Sequence, residues 1–145
     1  MISKPQLIIG QKFKDERGII TFNNDFDLNP IKRFYTISHP DKNIVRAWQG
    51  HKRESKWFRC YSGSFVVAWK LIDDFLNPNN HPCAEFTILR EDDPSILVIP
   101  PGYANGLKAL KDNSEIMVFS DFQLGESLDD KIRFDKDLWF DWSKF

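Results

Sequence analysis

The chain has 145 residues, enough for one domain with a real hydrophobic core. Its 41% hydrophobic content, with 13 Phe and 5 Trp, excludes a disordered chain. A formal net charge of −1 and a pI near 6.3 give no basis for nucleic acid or an anionic membrane as partner.

The start, MISKPQLIIG, holds only a brief apolar run, too short for a signal-peptide core, and no run anywhere approaches the roughly 18 apolar residues of a membrane span. A soluble cytoplasmic protein is expected, one domain over residues 1–145. Phe13 to Gly18 reads as a charged turn leading into the short strand IITF. Arg17 in that turn is either a solvated charge or an anion-binding side chain. IKRFYTI alternates, which puts Ile31, Arg33, Tyr35 and Ile37 on one face, and His39-Pro40-Asp41 closes it as a turn.

The stretch VRAWQGHKRESKWFRCYSGSFVVAWK organises the rest. KWFRCYS and FVVAWK are rich in aromatic and β-branched residues and flank Gly63-Ser64, so a β-hairpin is expected. Residues two apart on a strand share a face, which aims Gln49 and His51 at one surface. A polar loop, DDFLNPNNHPC, follows, with His81 on the surface. AEFTIL and SILVIP are strands separated by the turn EDDP. PPGYANG is expected to be a tight loop, because two prolines and two glycines disfavour a central ladder. LKAL and SEIMVFSDF are strands around Lys111-Asp112-Asn113. From Glu126 onward one helical turn is the most the sequence supports, with Trp139 and Trp142 docked on the outside of a sheet. Cys60 and Cys83 lack the spacing of a disulfide scaffold or a zinc site and are expected as buried thiols. Short, turn-delimited strands without a helical period indicate an all-β sandwich or barrel.

A polar strand followed by a Pro-Gly loop suggests the cupin jelly rolls. Metal-dependent cupins use a His-x-His pair, a nearby Glu and a later His, where this chain has Gln49-x-His51 and Asn105, so no metal and no cofactor are expected. Neither a GxSxG nucleophile nor a phosphate-cradling glycine loop is present. Proton transfer remains. His51, beside Lys56, Tyr35 and Arg46, is either a base acting next to a carbonyl, with cations stabilising an enolate, or a half-buried structural residue.

Phe13-x-Asp15-x-Arg17-Gly18, the block from Val45 to Phe65, IPPGYANG and RFDKDLWFDW resemble, in order, the markers of the cupin family that contains dTDP-4-dehydrorhamnose 3,5-epimerase. The resemblance is closer still to its relatives, the dTDP-sugar 3,4-ketoisomerases and WxcM-like proteins. It implies an all-β cupin jelly roll (double-stranded β-helix) with a short C-terminal aromatic segment. It also implies a homodimer that binds a dTDP-type 4-keto-6-deoxy sugar without metal and serves cell-surface polysaccharide biosynthesis. By the same resemblance Arg17 and Arg46 contact the diphosphate, Lys56 lies near the keto oxygen, Tyr35 lines the pocket and His51 matches the second histidine of R-G-x-H-x-H-K. Gln49 stands at the first histidine, Asn105 in the loop that reads A-H-G in the epimerases, and Phe119 at their tyrosine. Glutamine cannot accept a proton at neutral pH, so His51 is expected to serve as a displaced base. Arg46 has the wrong parity to share a face with Gln49 and His51 unless the strand is bulged or begins after it. The expected function is therefore a sugar-nucleotide isomerase or epimerase, with a catalytically degenerate sugar-nucleotide binder or an interaction protein as alternatives.

Overall fold

The computed structural model describes residues 2–145. Its first six strands are β1 (Gln6–Ile8), β2 (Gln11–Asp15), β3 (Gly18–Phe22), β4 (Arg33–His39), β5 (Val45–His51) and β6 (Lys56–Ser62). Then come β7 (Ser64–Leu71), β8 (Glu85–Arg90), β9 (Ile96–Ile99), β10 (Tyr103–Ala109), β11 (Ser114–Ser120), helix α1 (Leu124–Asp129) and β12 (Lys131–Arg133). Two antiparallel five-stranded sheets result, ordered β1-β9-β6-β11-β4 and β12-β5-β10-β7-β8, with β2 and β3 paired only to each other. The fold is an all-β cupin jelly roll, as the motifs implied.

The strands KWFRCYS and FVVAWK form as expected and Gly63 turns the chain with φ +72°, a conformation natural to glycine. They are not a hairpin, however: β6 belongs to the first sheet and β7 to the second. A period of two reports which side chains share a face, but not which strand is the neighbour. The loop expected at PPGYANG is likewise corrected. Only Pro100 to Gly102 turn, and Tyr103 onward runs as β10 in the centre of the second sheet, between β5 and β7. Gly106 is needed there because a Cβ would lie 2.7 Å from the Ala47 Cβ and 2.9 Å from the Trp142 ring. The charged turn near the N-terminus also shrinks to Glu16-Arg17, since Phe13 to Asp15 belong to β2.

Alternation places Ile31, Arg33, Tyr35 and Ile37 on the inward side of their segment, with the intervening residues exposed. Between the sheets lies a hydrophobic core that includes Phe58, Val67, Leu107 and Val118. Each sheet also has an outer cover. The C-terminal segment seats Trp139 and Trp142 against Trp48, Val66 and Ala68 on the back of the second sheet, as expected. The indole N–H of Trp48 donates to the Leu138 carbonyl at 2.9 Å, and that of Trp142 to the Lys136 carbonyl at 3.0 Å, so these buried rings keep their polar edges satisfied. On the back of the first sheet Trp57, Ile96 and Val98 pack against Ile8, Phe26 and Phe119. Cys60 is buried while Cys83 is exposed, which corrects the expectation of two buried thiols.

Candidate functional site

A cavity of about 800 Å³ opens between β4 and β6 of the first sheet and β5, β10 and β12 of the second. Five cationic side chains, Arg33, Arg46, Lys56, Lys131 and Arg133, line it, and among the described residues no carboxylate does. A smaller cavity of about 440 Å³ at the β7–β8 side balances Lys4 and Lys70 against Asp73 and Glu85. The imbalance of charge therefore singles out the larger cavity as a place for an anion.

The floor is shaped by a β-bulge. Along β5 and β10, Asn105 pairs with Gln49 but Gly106 pairs with Ala47, so Trp48 is an extra residue on β5. A bulge shifts the parity of the strand, and Arg46 and Gln49, three apart in sequence, both face the cavity with Asn105. Of the two ways to reconcile their parity, the bulge is the one the chain adopts. Trp48 itself is held by the C-terminal segment, exchanging backbone hydrogen bonds with Phe134 at 3.1 Å in each direction. That segment, as β12, sets Arg133 opposite Gln49 and Lys131 opposite His51.

Behind the wall lies Glu54, with 1% of its surface exposed. Its Oε1 accepts from the Lys56 ammonium at 2.7 Å, the Ser120 hydroxyl at 2.5 Å and the Arg33 guanidinium at 3.2 Å. Its Oε2 accepts from the Ser127 hydroxyl at 2.6 Å. Burial opposes its ionisation, yet the Lys56 hydrogen bond and the two hydroxyls outweigh it and hold the carboxyl down at about 2. Lys56 in turn reaches the Tyr35 hydroxyl at 3.1 Å. Its ammonium lies 5.0 Å and the Arg33 guanidinium 5.1 Å from the centre of the Tyr35 ring. Tyr35 and Lys56 thus form a phenol–ammonium pair on the cavity wall.

His51 shares the face of Gln49 but does not line the cavity. The loop after β5 closes over it, because Asp130 accepts hydrogen bonds from the backbone N–H groups of Lys52, Arg53 and Glu54 at 2.8–3.1 Å. Its Nδ1 is 3.2 Å from Glu54 Oε2 and 3.9 Å from Asp130 Oδ2, aligned for a hydrogen bond with neither. Burial pushes the imidazole down to about 4, against the pull of Glu54, so the ring is neutral at pH 7. His51, Glu54 and Asp130 place donor atoms within 4.8 Å of one another, the spacing of a metal site. These donors do not fit one. Asp130 is engaged by three N–H groups, and the place of a cation beside Glu54 is taken by the Lys56 ammonium.

The structure thus brings together Tyr35, Arg46, Gln49, Lys56 and Asn105. It sets His51 behind them and places Arg17 and Phe119 elsewhere. Arg17 caps the β2–β3 hairpin, its side chain 78% exposed and 2.6 Å from Asp15. Phe119 points to the back of the first sheet, edge-on to Phe26 at 5.2 Å. The sequence analysis missed Arg33, Lys131, Arg133 and Glu54. Arg33 was visible through its shared parity with Tyr35, and Lys131 and Arg133 through their spacing of two. Glu54 sits in the charged run HKRE, which reads as a solvated face.

Among curated proteins none matches the chain. Solved structures do. A mutant of the 3,4-ketoisomerase QdtA from Thermoanaerobacterium thermosaccharolyticum, in complex with TDP-4-keto-6-deoxyglucose, is 24% identical with a TM-score of 0.69 over 92% of this chain and 90% of its own. The dTDP-4-dehydrorhamnose 3,5-epimerase of Bacillus anthracis, with TDP and PPi bound, is 18% identical with a TM-score of 0.77 over 95% and 84%. The TDP-quinovose 3,4-ketoisomerase WlaRB of Campylobacter jejuni is 20% identical with a TM-score of 0.67 over 92% and 95%. These likenesses carry the fold. Residues 3–136 match the model of one family, and the chain belongs to it: WxcM-like, C-terminal.

Proposed function

We propose that the protein is a metal-independent isomerase or epimerase of a dTDP-type 4-keto-6-deoxy sugar, moving a proton next to the carbonyl, within cell-surface polysaccharide biosynthesis. The observation that carries this reading is the cavity itself: five cations without a lining carboxylate, and a phenol–ammonium pair at 3.1 Å on one wall. A diphosphate suits Arg46, Lys131 and Arg133, none of which forms an ion pair among the described residues. The sugar then lies against Tyr35, Lys56, Gln49 and Asn105. Lys56 stabilises the oxyanion of an enolate, and Tyr35, in its phenolate form, takes the proton from the carbon beside the carbonyl and returns it to the enolate. Gln49 and Asn105 orient the sugar by hydrogen bonds but take up no proton. His51 stays a neutral ring behind the wall. The TDP and TDP-sugar complexes of the solved relatives support this choice of ligand.

The same reading makes the protein a homodimer. Phe13, Ile19 and Ile20 on the lone hairpin and Phe34 beside the N-terminal cover are 53–63% exposed, and a two-stranded ribbon is marginal unless something covers it. Arg17 rides on that hairpin and lines neither of the two cavities described above, so its contact with a diphosphate would be made across the dimer.

A second reading, a sugar-nucleotide binder without turnover, is favoured by one observation: Gln49 holds the position expected for an imidazole base, and no His, Asp or Glu faces the cavity. One experiment separates the two. Incubated with dTDP-4-keto-6-deoxyglucose in deuterated water, an isomerase incorporates deuterium beside the carbonyl. Calorimetric binding of dTDP with neither exchange nor a new product makes the protein a binder, and no binding at all overturns both.

A further inference from the structure

Two cations converge on one buried oxygen at the inner end of the cavity. Arg33 and Lys56 stand 3.2 Å and 2.7 Å from Glu54 Oε1, and 5.1 Å and 5.0 Å from the centre of the Tyr35 ring. Glu54 lines no part of the cavity, and the proton transfer described above assigns it no step. Yet Arg33, Lys56 and Ser127, which it holds, come from three separate elements and all line the wall.

We propose that Glu54 is the positioning residue of the site: its carboxylate fixes the Lys56 ammonium against the Tyr35 hydroxyl and offsets one of the two positive charges at the reactive end of the cavity. This rests on the function proposed above. A lysine ammonium ends a flexible four-carbon stem with three donors. One donor goes to Glu54 and one to Tyr35, which leaves one for a substrate oxygen. Without the carboxylate, two like charges would meet in a weakly screened place, and repulsion would drive one of them off the phenol. Arg46, Lys131 and Arg133 have no such counter-charge. The cavity is thereby divided into an outer end that attracts an anion and an inner end that accepts a neutral keto sugar, which sets the direction in which a nucleotide sugar enters.

Glu54→Gln keeps the shape and removes the charge. The expected result is a fall in kcat on the order of 100-fold, the scale of a misplaced acid–base group. Affinity for dTDP should weaken by less than about threefold, because the outer cations are untouched. Glu54→Asp, which keeps the charge, should recover part of kcat. A kcat within about threefold of the unmodified protein, or an affinity for dTDP that falls in parallel with kcat, would overturn the proposal. If the single variant does not fold, Glu54→Gln is made in the Lys56→Met background, where one of the two facing charges is gone. There it should cost no further activity, and an additional loss would show that Glu54 acts by another route. If the unmodified protein neither turns over nor exchanges a keto sugar, the functional reading fails. Glu54 is then judged from crystal structures with dTDP. Lys56 Nζ out of hydrogen-bond reach of the Tyr35 hydroxyl in Glu54→Gln supports its role, and an unchanged contact overturns it.

Discussion

The cations of the cavity fall into two groups that differ in what faces them. Arg33 and Lys56 share one buried carboxylate, to which two hydroxyls also donate. Arg46, Lys131 and Arg133 line the same cavity and form no ion pair among the described residues. The inner group behaves as a fixed assembly in which one carboxylate offsets one of two positive charges, because each charge is held by a partner and removing one strands another. The outer group is an open field that costs little to keep in contact with water and strengthens when an anion arrives. The difference teaches that residues of one type, in one cavity, do different work according to the counter-charge the fold assigns them.

The comparison breaks most clearly at Lys56. Lys56→Met should lower turnover or deuterium exchange by about 10³-fold, within the range for loss of a general acid–base or oxyanion partner, while dTDP still binds by calorimetry. An equal loss of binding would place the diphosphate at the inner end and invert the assignment.

Acid should be the next largest perturbation, and it acts on the buried imidazoles, His51 behind the inner group and His39 elsewhere, both pushed down by burial. His51 is held at about 4 in the folded protein against an ordinary 6.5, so between those values the unfolded chain binds more protons and stability falls as pH falls. From pH 7.5 to pH 5 this amounts to about 2 kcal/mol, measured by urea denaturation at the two pH values. Glu54, held at about 2 against 4.5, adds stability that is complete above pH 4.5 and is lost only as pH falls from there toward 2, outside that interval. His51→Asn should therefore reduce the change between pH 7.5 and pH 5, leaving the part that comes from the buried His39.

On the outer side, Arg46→Ala or Arg133→Ala should weaken dTDP binding about tenfold, the scale of one charge-assisted hydrogen bond, with kcat little altered. Affinity measured against salt concentration should also show a shallower slope than in the unmodified protein. The smallest effect is expected at the hairpin. Ile20→Lys should shift the sedimentation coefficient toward that of a monomer and weaken dTDP binding only as far as Arg17 contributes across the dimer.

Much of the fold could be read in the chain because burial writes itself as period two. IKRFYTI announced its inward Arg33 and Tyr35, SILVIP its fully buried strand, and the aromatic tail its seat on the back of a sheet. Strand partners left no such mark. The residues either side of Gly63 looked like a hairpin because both flanks favour strand, and nothing local told that they separate into two sheets. Tyr103 to Gly106 looked like a loop because glycine is weak in isolation, whereas Gly106 answers a tertiary need, the close approach of Trp142. In the site, side chains that touch the cavity were legible through their spacing, and His51 was placed correctly by face but not by depth. Glu54 was hidden because Arg33, Ser120 and Ser127 lie 21 to 73 residues away in sequence, while Lys56 sits with it in a charged run that reads as solvated.

Trp48 gives β5 its extra residue, and the anchors that keep it there, the Phe134 backbone and the Leu138 carbonyl, lie in the last stretch of the chain. The phasing of the cavity wall is therefore dictated by a clasp in the C-terminal segment. Removing Trp48 by deletion would return the strand to an even rhythm and rotate Arg46 out of the cavity, so a residue whose ring is buried with Trp139 and Trp142 decides which of its neighbours open to it.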